Sequence, residues 1–214
     1  SSTGAIGKRL GKGSKGRGSK TCWRCEMAVD KTFKLIGAHG TGERQKDDYY
    51  ATDPKALEAL LEVEEFSDVW ECACGGGHLS SLLEERGLLK RKSDIIDRGC
   101  GAEILDFLNG FGGDWDGDIV TNPPYARALE FVKKALSAIH EGRKAAFLLR
   151  LQFLEGAARR ALFDKEPPKT VWVFTRRILC AKNGDFETYD HSAMCYAWFV
   201  WEKGWKEETV VRWI

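Results

Sequence analysis

Short apolar runs and stretches of helical spacing take turns along this chain. Largely apolar segments at 69–71, 118–121, 144–149 and 170–174 predict buried strands, because a strand exposed on one side would alternate with polar residues; 92–97 reads as the second strand, ending in an acid, and 104–108 is a further apolar run. Between them lie segments with apolar residues three and four apart. One opens at Thr52, Asp53 and Pro54, where either polar residue can cap and the proline suits a first turn; Leu57, Leu60, Leu61 and Val63 form its buried stripe. A second helical segment runs over 80–86. The third covers 126–140, with Leu129, Val132, Leu136 and Ile139 on one face. Such alternation predicts an α/β fold: a mainly parallel sheet covered on both faces, in three layers. Near the end, Asn183-Gly184 between the arms 176–182 and 185–189 is a hairpin signal. The segment 194–201 is dense in aromatics, with Trp198 and Trp201 read as core, and 209–214 reads as a last edge strand.

Composition bounds the picture without choosing a function. A chain of 214 residues fits one core, and its 43% hydrophobic content is scattered, with no run near the roughly 20 residues of a membrane helix. The expectation is a soluble, cytoplasmic protein without a membrane partner. Seven cysteines at irregular spacing, with no secretion signal, read as reduced thiols. The net charge of +1 hides an asymmetry: residues 1–20 carry six basic side chains and no acid, leaving 27 basic against 32 acidic in the rest. That Gly/Ser/Lys-rich tail buries too little to order itself, and it is either a nonspecific phosphate-binding arm or a solvated tail. A connecting segment over 21–48 carries Cys22-Trp23-Arg24-Cys25, half of a zinc spacing with His39 as a conceivable third ligand. A second such pair is missing, which favours a metal-free reading. The folded domain is expected over 49–214.

Chemistry concentrates at the predicted carboxyl ends of strands. Val69-Trp70-Glu71 runs into Cys72-Ala73-Cys74-Gly75-Gly76-Gly77 and then a helix, the first βα turn of a nucleotide-binding sheet. The Lys-Ser/Thr of a phosphate-binding loop is absent, and an acid at the strand end suits a cofactor bearing an ammonium and a sulfonium. Cys72 and Cys74 read as packing residues. Somewhat over 20 residues on, Asp94, with Asp97 in reserve, stands where a carboxylate accepts ribose hydroxyls. Asp106 and Phe107 place an acid and a ring side by side; the plain alternative is a capping Asp beside a core Phe. Asp118-Ile119-Val120-Thr121 then stops at Asn122-Pro123-Pro124-Tyr125. Proline fixes φ and pushes its predecessor away from helix, so the strand ends in a rigid rim. The Asn122 amide oxygen and Pro123 carbonyl are paired acceptors, and Tyr125 offers a flat face: a receptor for a planar ring bearing –NH2.

On these residues the chain resembles the S-adenosylmethionine-dependent N6-adenine DNA methyltransferases, the small phage and prophage type above all. The resemblance covers 50–201. It implies a Rossmann-like class I methyltransferase fold, with seven strands of which one is antiparallel. It also implies S-adenosylmethionine as cofactor, with Tyr50 and Thr52 at its methionine end, Glu71, Ala73, Gly75 and Gly77 in the glycine loop, Asp94 on the ribose, and Asp106 and Phe107 on the adenine. Asn122, Pro123, Pro124 and Tyr125 would be catalytic, holding a target adenine flipped out of DNA. Basic residues with aromatics near the hairpin, Arg176, Arg177 and Lys182, suit contact with a duplex. Arg159 and Arg160 could meet phosphate or be solvated. Restriction-type relatives append a target-recognition domain for which these residues leave no room, so specificity is expected from loops. RNA adenine methylation, protein glutamine N5 methylation and an inactive nucleic-acid-binding fold are the alternative functions.

Overall fold

In the computed structural model, residues 50–178, 180–182 and 194–214 are described. The tail, the Cys22/Cys25 pair and the second hairpin arm lie outside them. The chain order is β1 (Tyr50–Thr52), α1 (Lys55–Leu61), β2 (Val69–Glu71), α2 (His78–Glu85), β3 (Leu89–Asp94), β4 (Glu103–Ile104), β5 (Ile119–Thr121), α3 (Ala128–Ala138), β6 (Lys144–Arg150), α4 (Ala157–Lys165), β7 (Thr170–Val173), β8 (Cys180–Lys182), β9 (Tyr196–Glu202) and β10 (Val210–Trp213). Single 3-10 turns cover Tyr125–Arg127 and Leu151–Leu154. No helix among the described residues is long and apolar enough to cross a membrane.

The main sheet has eight strands in the order β10-β7-β9-β6-β5-β2-β3-β4. Only β9 runs against its neighbours, between β6 and β7; the other pairs are parallel. Seven strands were expected. The eighth is β10, which extends the sheet beyond β7 as an edge strand with exposed side chains. Strand β1 stands apart, pairing antiparallel with β8, so Thr52 lies opposite Cys180 and Tyr50 opposite Lys182.

The apolar runs are continuous because both sheet faces are covered. In β6, Ala145, Phe147 and Leu149 pack with α3 and Leu162 of α4, while Ala146 and Leu148 pack with α1 and α2 on the opposite face. The aromatics of β9 divide the same way: Trp201 joins the first cluster and Trp198 the second, both fully buried. Each satisfies its indole N–H, Trp198 on the Ala56 carbonyl at 2.7 Å and Trp201 on that of Glu166 at 3.0 Å.

Local expectations shift at element ends. Helix α1 stops at Leu61, so Val63 lies outside the buried stripe and is exposed. Asp53 rather than Thr52 caps it, accepting the Lys55 N–H at 3.0 Å. Strand β3 begins at Leu89 and ends at Asp94, leaving Ile95 and Ile96 exposed beyond it. The carboxylate of Asp118, just ahead of β5, ties three segments together by accepting the Ser67 N–H and the Lys144 N–H, both at 2.7 Å. Two charge-assisted bonds at a buried site make this residue sensitive. Asp118→Asn, which keeps one acceptor and turns an NH2 toward a donor, should cost roughly 2–4 kcal/mol in urea unfolding. A loss under about 0.5 kcal/mol would mean that the staple is not stabilising.

Candidate active site

The carboxyl ends of β2, β3 and β5 open on one cavity of about 420 Å³. Parallel strands that end together with their connecting loops splayed apart leave this crevice, and ligands of such sheets bind there. Its walls include Thr52, Glu71, Ala73, Asp94, Asp106, Phe107, Asn122, Pro123, Pro124 and Tyr125. Residues spread over more than 70 positions therefore meet in one place.

The glycine turn is shaped by two left-handed residues, Gly75 at φ +55° and Gly77 at φ +82°. A Cβ on Gly77 would fall 2.8 Å from the Cβ of Cys100, so the β3–β4 loop packs directly on the turn. Gly75 and Gly77 shape the turn, whereas Ala73 and Cys74 face the cavity. The Gly75 N–H donates to Asp94 Oδ2 at 2.8 Å, joining the turn to the end of β3.

Glu71 is buried at the end of β2 and accepts a hydrogen bond from the Ser80 hydroxyl at the start of α2. Burial is the largest influence on its carboxyl, opposed by that hydrogen bond and reinforced by the nearby charge of Asp94; the pKa is pushed up to about 8. Near neutral pH the group is mostly protonated, and an arriving cation would favour its ionised form. Asp94 is nearly buried and faces the same cavity. Its Oδ1 accepts the Ile96 N–H at 3.2 Å and an Arg98 guanidinium N–H at 3.0 Å. Asp97 is exposed and accepts the Gly99 N–H at 2.9 Å, a turn role away from the cavity lining.

Asp106 and Phe107 combine both readings open at the sequence level. The carboxylate accepts the Leu108 and Asn109 N–H groups at 2.9 and 3.2 Å and the Asn109 side chain at 2.7 Å. The Asn109 bond, foremost, holds its pKa below the usual carboxylate range. The Phe107 ring is buried edge-on to Trp70, 5.2 Å between centroids. A capping acid and a core phenylalanine thus also line the site.

Extended backbone continues past β5 to Pro124, at φ −54° and ψ 119°, and the 3-10 turn begins immediately at Tyr125. The prolines delay the helical turn to the fourth residue of the rim. Asn122 donates from Nδ2 to the Thr52 hydroxyl at 2.8 Å, and amide planarity then fixes the direction of its carbonyl oxygen. Thr52 is held in turn by β1, so the ribbon β1-β8 sets the rim from a distance in sequence. The Tyr125 hydroxyl donates to Cys180 Sγ at 3.4 Å, its ring lies 5.6 Å from that of Tyr196, and the Arg150 guanidinium sits 4.7 Å from its centroid.

The basic residues expected at nucleic acid lie elsewhere than in the cavity lining. Arg159 donates to the carbonyls of Gln152 and Glu155 over the Phe153 ring, and Arg160 pairs with Asp164 at 2.6 Å, both intrahelical or local contacts. Arg176 and Arg177 are exposed, Arg177 contacting Cys195 Sγ at 2.8 Å. Lys182 and Tyr50 are placed by their main chain in the β1-β8 ribbon. Sequence reasoning missed Arg98, His78, Ile95, Arg127 and Phe131, all lining the cavity. An arginine four residues after Asp94 was the available hint for Arg98; it falls in an irregular loop, where no period marks a face.

No protein-family model matches the sequence, and no curated protein matches it. Solved structures do. A crystal structure from Listeria monocytogenes, named as a class I S-adenosylmethionine-dependent methyltransferase, superposes with a TM-score of 0.54 at 13% identity, over 86% of this chain and 71% of that one. The methyltransferase subunit of a type I restriction-modification system from Streptococcus thermophilus gives 0.50 at 14% identity, over 76% of this chain and 47% of the subunit. The chain therefore spans less than half of that subunit. At such identities the likeness is one of architecture: this chain has the Rossmann-like fold of the class I methyltransferases.

Proposed function

We propose that the chain transfers a methyl group from S-adenosylmethionine to the exocyclic N6 of adenine in DNA. The observation that carries this reading is the meeting of Glu71 and Asp94 with Asn122-Pro123-Pro124-Tyr125 in one cavity at the strand ends. The donor set fits the cofactor. Two buried acids, one of them pushed toward its neutral form by burial, suit a ligand with ammonium and sulfonium groups better than one with phosphates. The volume of about 420 Å³ lies in the range of small-ligand sites. Glu71 would face the methionine end with Thr52, Asp94 the ribose, and Asp106 with Phe107 the adenine. When bound, the cofactor supplies an electrophilic methyl group.

The residues of the rim supply orientation. Adenine N6 is a poor nucleophile because its lone pair is delocalised into the ring. Asn122 Oδ1 and the Pro123 carbonyl would accept its two hydrogens, favouring a pyramidal nitrogen with its lone pair toward the methyl. Prolines on either side of the second carbonyl keep these acceptors from rearranging. No strong base is needed; the proton leaves after nitrogen has become cationic. Tyr125 would stack on the flipped base, with its other contacts to Tyr196 and Arg150 holding the ring plane. Arg98, paired with Asp94, would share or release that carboxylate as ribose arrives.

The test is incubation with labelled S-adenosylmethionine and mixed duplex DNA, single-stranded DNA or RNA, then digestion to nucleosides and mass spectrometry. N6-methyladenine from DNA is the expected product. Label in RNA or on protein glutamine would replace the substrate, and failure to bind the cofactor in calorimetry would overturn the reading altogether.

A further inference from the structure

The least compensated cation beside the rim is Arg150, the last residue of β6. Most other arginines near the site have an acid: Arg98 pairs with Asp94 at 3.0 Å and Arg127 with Glu130 at 2.8 Å. Among the described residues Arg150 has no carboxylate within ion-pair distance, and its Nε is buried without a hydrogen-bond partner. The side chain is half-buried, with its guanidinium 4.7 Å from the Tyr125 centroid. A half-buried guanidinium left without an anion is costly, and the site retains that cost next to the residue expected to stack on substrate. The groups around it are neutral: Tyr125, its strand partner Tyr196, and Cys180, which accepts from the Tyr125 hydroxyl. Its positive charge reaches both Cys180 and Tyr196, favouring their ionised forms against the burial that raises both. None of them supplies the missing negative charge.

Resting on the methyltransferase reading above, we infer that Arg150 is the positioning residue that meets a backbone phosphate of a nucleic-acid strand beside the target base, while its guanidinium plane holds the ring of Tyr125. Arginine suits both roles, since it stacks on an aromatic face and its fork matches two phosphate oxygens. A lysine would keep the charge and lose the stacked plane. The contact would couple binding to geometry: a phosphodiester drawn to Arg150 brings its nucleotide against Tyr125, next to the acceptors of Asn122 and Pro123. A glutamine side chain in a protein substrate offers no anion at that position. The charge beside the rim therefore selects nucleic acid over a protein amide.

The experiment measures KM for a mixed-sequence DNA duplex against salt concentration, together with S-adenosylmethionine affinity by calorimetry, for wild type, Arg150→Ala and Arg150→Lys. Loss of one phosphate contact should raise the DNA KM about tenfold in Arg150→Ala and flatten the slope of log KM on log salt by about 1. Cofactor affinity should stay within about twofold of wild type, which a general folding defect would not allow. Arg150→Lys should keep the salt slope and lose kcat through the freed Tyr125 ring. Equal salt slopes for all three proteins, with wild type active on DNA, would overturn this inference alone. A wild type that binds no cofactor, or methylates only protein, would bring down the underlying reading with it.

Discussion

Asn122→Ala is expected to reduce methyl transfer to DNA about 10²- to 10³-fold in kcat while leaving S-adenosylmethionine affinity within a few-fold. The magnitude follows from removing one of two preorganised acceptors at the atom where charge develops. Asn122 sits after β5 between two structural anchors: Thr52 accepts its Nδ2 at 2.8 Å, and Pro123 fixes the backbone that follows. The first anchor offers an independent check. Thr52→Val keeps the shape and deletes the acceptor, so the amide should lose its fixed direction and kcat should fall about tenfold. Single-turnover rates and calorimetric cofactor titrations on both variants decide the matter. Full activity in Asn122→Ala would sink the assignment of this rim as the transfer site, whatever the cofactor does.

The second large effect concerns Glu71 and pH. With its pKa pushed up to about 8 by burial, the ionised carboxylate that a cationic cofactor prefers is the minority form below that pH. Affinity for S-adenosylmethionine should therefore strengthen about tenfold per pH unit from pH about 6 up to about 8, then level off, with a proton released on binding. Stability of the ligand-free protein should run the opposite way. A carboxyl whose folded pKa lies above its ordinary 4.5 contributes stability that is complete below 4.5 and is lost as pH rises through about 8. Bound cofactor should reverse that loss. Glu71→Gln removes the titration: affinity becomes flat in this window, and stability no longer declines with pH for this reason. Calorimetry in buffers of different ionisation enthalpy counts the released proton. A pH-independent wild-type affinity would show that Glu71 does not meet the cation.

The architecture was legible because its signals are local and repeated. Runs such as 145–149 are apolar at every position since both faces of β6 are covered, and the helical spacing of 128–138 follows from one buried face. The two prolines after Asn122 forbid helix at that point in any context. Less legible were features that depend on partners far away in the chain. Asp118 looked like an ordinary strand start, and its role as a staple needs the N–H groups of Ser67 and Lys144. Asp106 could be capping or lining; its geometry shows that one carboxylate does both. Strand β10 carries a short apolar pattern that predicts an edge but cannot say that the sheet has room for an eighth member.

By itself the sequence determined the alternation of the main buried strands with helices, the breaks at glycine and proline, and the residue types available at each strand end. These depend on backbone sterics and on periodicity, which act within a few residues. Only the tertiary structure decided which strand ends share a cavity, that β1 with β8 supplies Thr52 to orient Asn122, that Arg98 already engages Asp94, and that Arg150 stands uncompensated against Tyr125. Charge and hydrogen bonding act through space between segments as much as 142 residues apart in sequence, and their outcome is fixed only when the sheet brings those segments into register.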